Sequence, residues 1–245
     1  MDIQERDRLI RLISDPPTGS KLAAAKEYGV DLTLLVRQLE LTPTERLREL
    51  ESAQIFFQEL RGKRKGAVAM AEFENALTVL LDAKVELVLI GGAAMYARGS
   101  DYVSVDLDVC YERSRENIKR LVDALALYNP TLRGAPSDLP FRFDVPTVTR
   151  GLNFTLTTDL GAIDLLGEVA GLGMYAEVVA TSTTIEMFGR ECRVLSLDGL
   201  IKAKRAAGRP KDLAALPELE ALREVEAGRT AKGEDEQRKG GRPQK

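Results

Sequence analysis

Apolar residues recur at helical spacing through Leu9, Ile10, Leu12 and Ile13, and again through Leu32, Leu35, Val36 and Leu39. This pattern predicts helices over the first 60 residues. Asp15-Pro16-Pro17 separates the first helix from the second. Thr42-Pro43-Thr44-Glu45 reads as a capping box, with Pro43 at the first helical position. The helix that follows carries Leu47, Leu50, Ile55, Phe56 and Leu60 and runs into a linker, Arg61-Gly62-Lys63-Arg64-Lys65-Gly66. Residues 1–66 hold 12 basic and 11 acidic side chains. They read as a helical arm with no chemical signal of its own.

The rhythm changes over residues 67–222. A helix from Ala69 to Leu81 leads into an apolar strand, Val85 to Ile90, then Gly91-Gly92 and a short helix. A second strand alternates from Val105 to Tyr111, and Arg115 to Leu127 reads as a helix. Pro and Gly punctuate residues 130–146, and further strands are expected at Asn153–Thr157, Ala162–Leu166 and Arg193–Leu195. Ser196 caps a helix through Ala207, and Pro210 opens a last one. Strands mixed with helices in this way predict an α/β (α+β) domain, with a mixed sheet flanked by helices. Residues 223–245 have few apolar side chains and many charges and glycines, so they read as a disordered charged tail.

Composition narrows the chemistry. The 245 residues contain no His and no Trp, with 35 basic and 38 acidic side chains and a net charge of −3. Without His there can be no Ser-His-Asp or Cys-His pair and no imidazole-bound zinc. The two cysteines, Cys110 and Cys192, are too few for a disulfide scaffold. The charged start lacks a signal-peptide core, and the uncharged stretch Leu87 to Ala97 has eleven residues, well short of a membrane span. A cytoplasmic protein with no membrane partner is expected.

Asp106 and Asp108 are two apart on a strand, so both carboxylates project from one face. Such a pair is either a solvated face or a ligand set for Mg²⁺, which removes the repulsion between them. Gly91-Gly92 ends one strand and starts a helix, with thirteen residues between Gly92 and Asp106. It is either a tight connection or a place where backbone approaches an anion. Asp164 interrupts the apolar run Gly161 to Leu166, as a sheet-edge charge or as a third carboxylate completing a two-metal site. Lys202, Lys204, Arg205, Arg209 and Lys211 lie within ten residues with no acid among them, and Asp212 is expected to pair with Lys211. The run is either a solvated helix face or a clamp on phosphates.

Together these residues match a family pattern. Ile90-Gly91-Gly92, thirteen residues and Asp106-Leu107-Asp108-Val109, with Ser104 ahead of the pair, resemble the signature of the polymerase-β-like nucleotidyltransferase superfamily. The stretch from Ser196 to Leu213 resembles the C-terminal motif of its stand-alone prokaryotic members, including AbiE-type and MenT-type toxins. The resemblance covers about residues 67–222 and implies the nucleotidyltransferase fold. It implies that Asp106, Asp108 and Asp164 are catalytic and hold Mg²⁺, in one or two ions. It further implies that Gly91, Gly92 and Ser104 cradle phosphates, and that Lys202 or Lys211 neutralises the triphosphate. The expected activity moves NMP from an NTP such as ATP to an acceptor hydroxyl, releasing pyrophosphate. Such a protein would be a toxin of a toxin–antitoxin or phage-defence pair, with tRNA or protein as acceptor and a cognate antitoxin as partner. The competing expectations are a non-catalytic antitoxin or regulatory protein, and an antibiotic-modifying enzyme with an acidic acceptor pocket. A basic groove lined by Arg98, Arg142, Arg150 and the 202–211 cluster would favour RNA.

Overall fold

Each helix of the N-terminal arm begins on a side chain that accepts from its own first-turn amides, which offsets the unpaired donors there. Asp2 accepts from the Glu5 amide at 2.8 Å to start α1 (Ile3–Ser14). Ser20 and Asp31 do the same for α2 (Lys21–Tyr28) and α3 (Leu32–Glu40). The expected capping box opens α4 (Pro43–Arg61): the Thr42 amide donates to Glu45 at 2.7 Å, and the Glu45 amide donates back to Thr42 at 3.3 Å. The computed structural model describes residues 1–61, 72–102, 104–136 and 140–240. Most of the linker expected at 61–66 and the helix start expected at Ala69 therefore lie outside the described residues.

Then follow α5 (Phe73–Asp82), β1 (Leu87–Leu89), α6 (Gly91–Ala97), β2 (Leu107–Tyr111), α7 (Arg115–Leu125), β3 (Thr131–Leu132) and α8 (Val145–Arg150). The second half contains β4 (Asn153–Thr158), β5 (Gly161–Leu166), β6 (Glu168–Val169), β7 (Gly173–Met174), α9 (Tyr175–Ala180), β8 (Ser182–Met187) and β9 (Arg190–Leu195). The chain closes with α10 (Leu197–Ala207), α11 (Pro210–Ala214) and α12 (Leu216–Gly240). Seven strands form one sheet in the order β3-β4-β5-β2-β1-β9-β8, and β6 and β7 form a separate hairpin. The sheet is mixed: β2 runs parallel to β5 and β1 parallel to β9, while the remaining neighbours are antiparallel. This is the α/β architecture with a mixed sheet that the sequence pattern predicts.

The arm shares one hydrophobic core with the sheet, from Leu9 and Leu22 through Val88 and Ile163 to Leu219 and Val225. Helix α4 packs on α6 and β8, and α12 packs on α2 and α10. Here the structure corrects the expected tail. Helix α12 continues past residue 223 to Gly240, because Leu219, Leu222 and Val225 prolong one buried face at helical spacing. Glu224 accepts from the Lys21 amide at 2.5 Å, and Arg229 pairs with Glu5 at 2.5 Å. Residues 241–245 lie outside the described residues. Both cysteines are free and buried, and among the described residues no helix is long and apolar enough to cross a membrane.

Candidate metal centre and its cleft

Strands β2 and β5 are neighbours at the middle of the sheet, and their parallel register sets Asp108 directly beside Asp164. Asp106 reaches the same place from the bend that precedes β2. The three half-buried carboxylates each offer an oxygen, and these oxygens all lie within 4.8 Å of one another. They can hold a metal ion. Their crowding leaves a clear electrostatic mark. Burial, reinforced by Asp106 and Asp164, pushes the Asp108 carboxyl up to about 7. Burial likewise raises Asp164 to about 6, against the opposing pull of Arg133.

Sequence reasoning missed Arg133. It lies just beyond β3, the edge strand two removed from β5. Its guanidinium pairs with Asp164 and reaches Asp106 at 3.4 Å, largely out of solvent. Its position in the Pro/Gly-punctuated stretch gave no local signal. Only the β3–β4 and β4–β5 pairings bring it to the carboxylates.

The two glycines are required by what stands against them. Gly91 has φ +62°, and a Cβ there would lie 2.0 Å from Asp108 Oδ2. A Cβ on Gly92 would lie 2.5 Å from the Ser104 hydroxyl. Their absence lets the start of α6 close onto the site, where the Gly92 amide donates to the Asp108 carboxylate. Ser104 is buried and its hydroxyl donates to the Asp106 carbonyl at 3.1 Å and lies 3.2 Å from Oδ1 of the same residue.

A cleft of about 220 Å³ opens from the carboxylates between the sheet and α10. Its floor carries Gly91, Gly92 and Ser104, and its far wall Lys204, Arg209, Lys211 and Asp212. Asp212 is fully buried and accepts from Lys204 at 2.8 Å and from Arg209 at 2.5 Å, so the expected pairing with Lys211 is replaced. Adjacent residues of a helix point about 100° apart, which turns Lys211 away from Asp212. Lys211 instead lines the cleft, near enough to lower the Asp164 pKa. Lys204 also lies over the Tyr102 ring, 5.2 Å from its centroid. Lys202 is exposed and does not line the cleft. On α10 the buried residues are Leu197, Gly199, Leu200 and Ile201, and Lys204 follows Leu200 and Ile201 at helical spacing, which selects it over Lys202.

The arginines of the expected basic groove are dispersed. Arg98 lies behind α6 and donates to the carbonyls of Leu195 and Val194 at 3.0 and 2.8 Å. Arg142 is exposed and lies 3.6 Å from Asp144, and Arg150 is exposed in the last turn of α8. The chain matches no family model, and no curated protein shows significant similarity to it.

Proposed function

We propose that this chain is a Mg²⁺-dependent nucleotidyltransferase with the polymerase-β-like fold, transferring NMP from an NTP to an acceptor hydroxyl. The observation that supports this reading best is the meeting of Asp106, Asp108 and Asp164 at the glycine start of α6, opposite a wall of basic side chains. The donor set fits the ion: three carboxylates, with no nitrogen or sulfur ligand, suit a hard cation of the Mg²⁺ class. Bound Mg²⁺ would neutralise triphosphate charge and orient the reacting oxygens.

The chain's own groups do the rest. Gly91 and Gly92 let the start of α6 close onto Asp108 and Ser104, which sets its first turn beside the triphosphate, and Ser104 braces the Asp106 loop. Lys211, Lys204 and Arg209 face the triphosphate from across the cleft, with Asp212 holding the latter two in place. The acceptor oxygen forms a bond to the α-phosphorus as the bond from that phosphorus to the bridging oxygen breaks, and pyrophosphate leaves. The acceptor proton passes to a carboxylate, a role that this reading gives to Asp164. Positioning and charge stabilisation carry such a reaction, so the lack of His is no obstacle.

A tRNA or protein acceptor, presenting its hydroxyl to the α-phosphate, would make the chain a toxin kept in check by a cognate antitoxin. The test is purified protein with each α-labelled NTP, Mg²⁺ and total RNA or cell extract. Label should enter one band and vanish with Asp106→Ala; transfer retained by that variant, or absent with every NTP and acceptor pool, would overturn the reading.

A further inference from the structure

A second pocket, of about 150 Å³, lies at the C-terminal end of α6, the other end from the carboxylates, between α4, α6, β8 and α12. Three guanidiniums line it: Arg46, Arg98 and Arg229. Arg46 is only 7% exposed. Its Nε donates to the Gln38 carbonyl at 2.5 Å and its Nη1 to the Ala97 carbonyl at 2.6 Å. These are carbonyls from the ends of α3 and α6, which fix the side chain without supplying a full counter-charge. Among the described residues no carboxylate lies within ion-pair distance of Arg46. Arg98 likewise donates to neutral acceptors, the Leu195 and Val194 carbonyls and the Thr183 hydroxyl. Arg229 is held by Glu5, and Glu226, the acid among the described lining residues, acts on Arg98 and opposes the burial that lowers its pKa.

Burying a cation without a counter-ion is costly, and placing like charges beside it adds to the cost. The effect is visible on Arg46, whose pKa falls to about 10 through burial, then through Arg229 and Arg98. With Glu5 on Arg229 and Glu226 acting on Arg98, the three arginines keep one positive charge in excess, centred on Arg46, facing a small space whose other walls are apolar. Guanidinium forks suit tetrahedral oxyanions, to which they offer paired donors.

We infer that this pocket is a binding site for a phosphate group, held by Arg46, Arg98 and Arg229 and distinct from the carboxylate cleft. Its volume admits a phosphate but not a nucleoside, so the group is either free phosphate or the projecting terminus of a larger molecule. The inference does not rest on the nucleotidyltransferase reading.

Calorimetric titration tests it, with inorganic phosphate and, separately, AMP, in a chelator-containing buffer that keeps metals from bridging phosphate to the carboxylates. The expected result is one phosphate per chain, weakened about tenfold or more by Arg229→Gln and unaffected by Lys211→Ala in the cleft. AMP binding under the same rules would identify a carried phosphate, and its failure beside phosphate binding a free one. Glu226→Gln removes the competing carboxylate and should tighten phosphate several-fold, a gain that misfolding cannot mimic. Far-UV circular dichroism confirms that Arg229→Gln retains its helices; should it not, Glu226→Gln alone decides. No saturable binding, binding lost in Lys211→Ala but kept in Arg229→Gln, or no gain in Glu226→Gln would overturn the inference.

Discussion

The guanidinium of Arg133 pairs with the carboxylate of Asp164 at the centre of the candidate metal site, and its other nitrogen reaches Asp106 at 3.4 Å. The residue therefore supplies from within the chain the positive charge that three crowded carboxylates require. A divalent cation must compete with it. Arg133→Gln is expected to raise Mn²⁺ affinity about tenfold, read by calorimetry or by the electron paramagnetic signal of free Mn²⁺. Unchanged or weaker binding would show that Arg133 and the metal do not share these ligands. Adding a chelator should lower the melting temperature of this variant more than that of the parent.

Asp108 ties the site to pH. Its carboxyl is raised to about 7 in the folded chain, chiefly by burial, from an ordinary value of 3.8. A carboxyl raised on folding favours the folded state fully below its unfolded value, and that advantage is lost as pH rises through the folded one. Asp108→Asn removes the penalty, so without metal the variant should be more stable than the parent by up to about 4 kcal/mol at about pH 8. The two should unfold at matching denaturant concentrations near pH 4. A pH-independent difference would exclude Asp108 as the titrating group.

Metal binding should carry the opposite pH dependence. Ligand carboxylates bind as anions, so protons on Asp108 and Asp164 compete with the cation. Mn²⁺ affinity is expected to climb between about pH 5.5 and 7.5 and then level off, with proton release detectable as a buffer-dependent heat. A flat profile across that range would contradict the raised carboxyls.

Gly91 is the tightest point of the site. Gly91→Ala places a methyl 2.0 Å from Asp108 Oδ2 on backbone with φ +62°. A cost of about 2 kcal/mol or more is expected from denaturant unfolding, together with loss of metal binding as Asp108 is displaced. Wild-type stability in this variant would mean that α6 does not close on Asp108.

Asp212 is a fully buried acid answering two cations. Asp212→Asn should destabilise the chain by about 3 kcal/mol, because Lys204 is left buried without its partner. Lys211→Ala, whose cationic group instead faces the cleft, should leave the melting temperature unchanged while weakening nucleotide binding. Equal effects of the two substitutions on stability would erase the distinction between brace and ligand.

Local pattern made much of this legible. The capping box at Thr42, the glycine start of α6, the Ser196 cap and the central strands all follow from short-range rules. Alternation correctly brought Asp106 and Asp108 together, yet β2 begins only at Leu107, and Val105, the expected first residue of the strand, is 42% exposed. Residues whose partners are remote in sequence were less readable. Arg133 meets acids 27 and 31 positions away through two strand pairings. Helix α12 keeps its structure beyond residue 223 because Glu224 and Arg229 find partners in the arm, at Lys21 and Glu5. Composition alone registers their charge and not their destination.

The side-by-side placement of Asp108 and Asp164 has a consequence for how the sheet tolerates change. Sliding β5 one position along β2 would turn Asp164 through the sheet to the opposite side and bring a leucine or isoleucine into the acidic cluster. A one-residue insertion inside β5, between Gly161 and Asp164, is thus a frameshift in space, dismantling ligand set and packing in a single stroke. Lengthening of the chain can be absorbed at the rim of the sheet, but its two middle strands keep a fixed count.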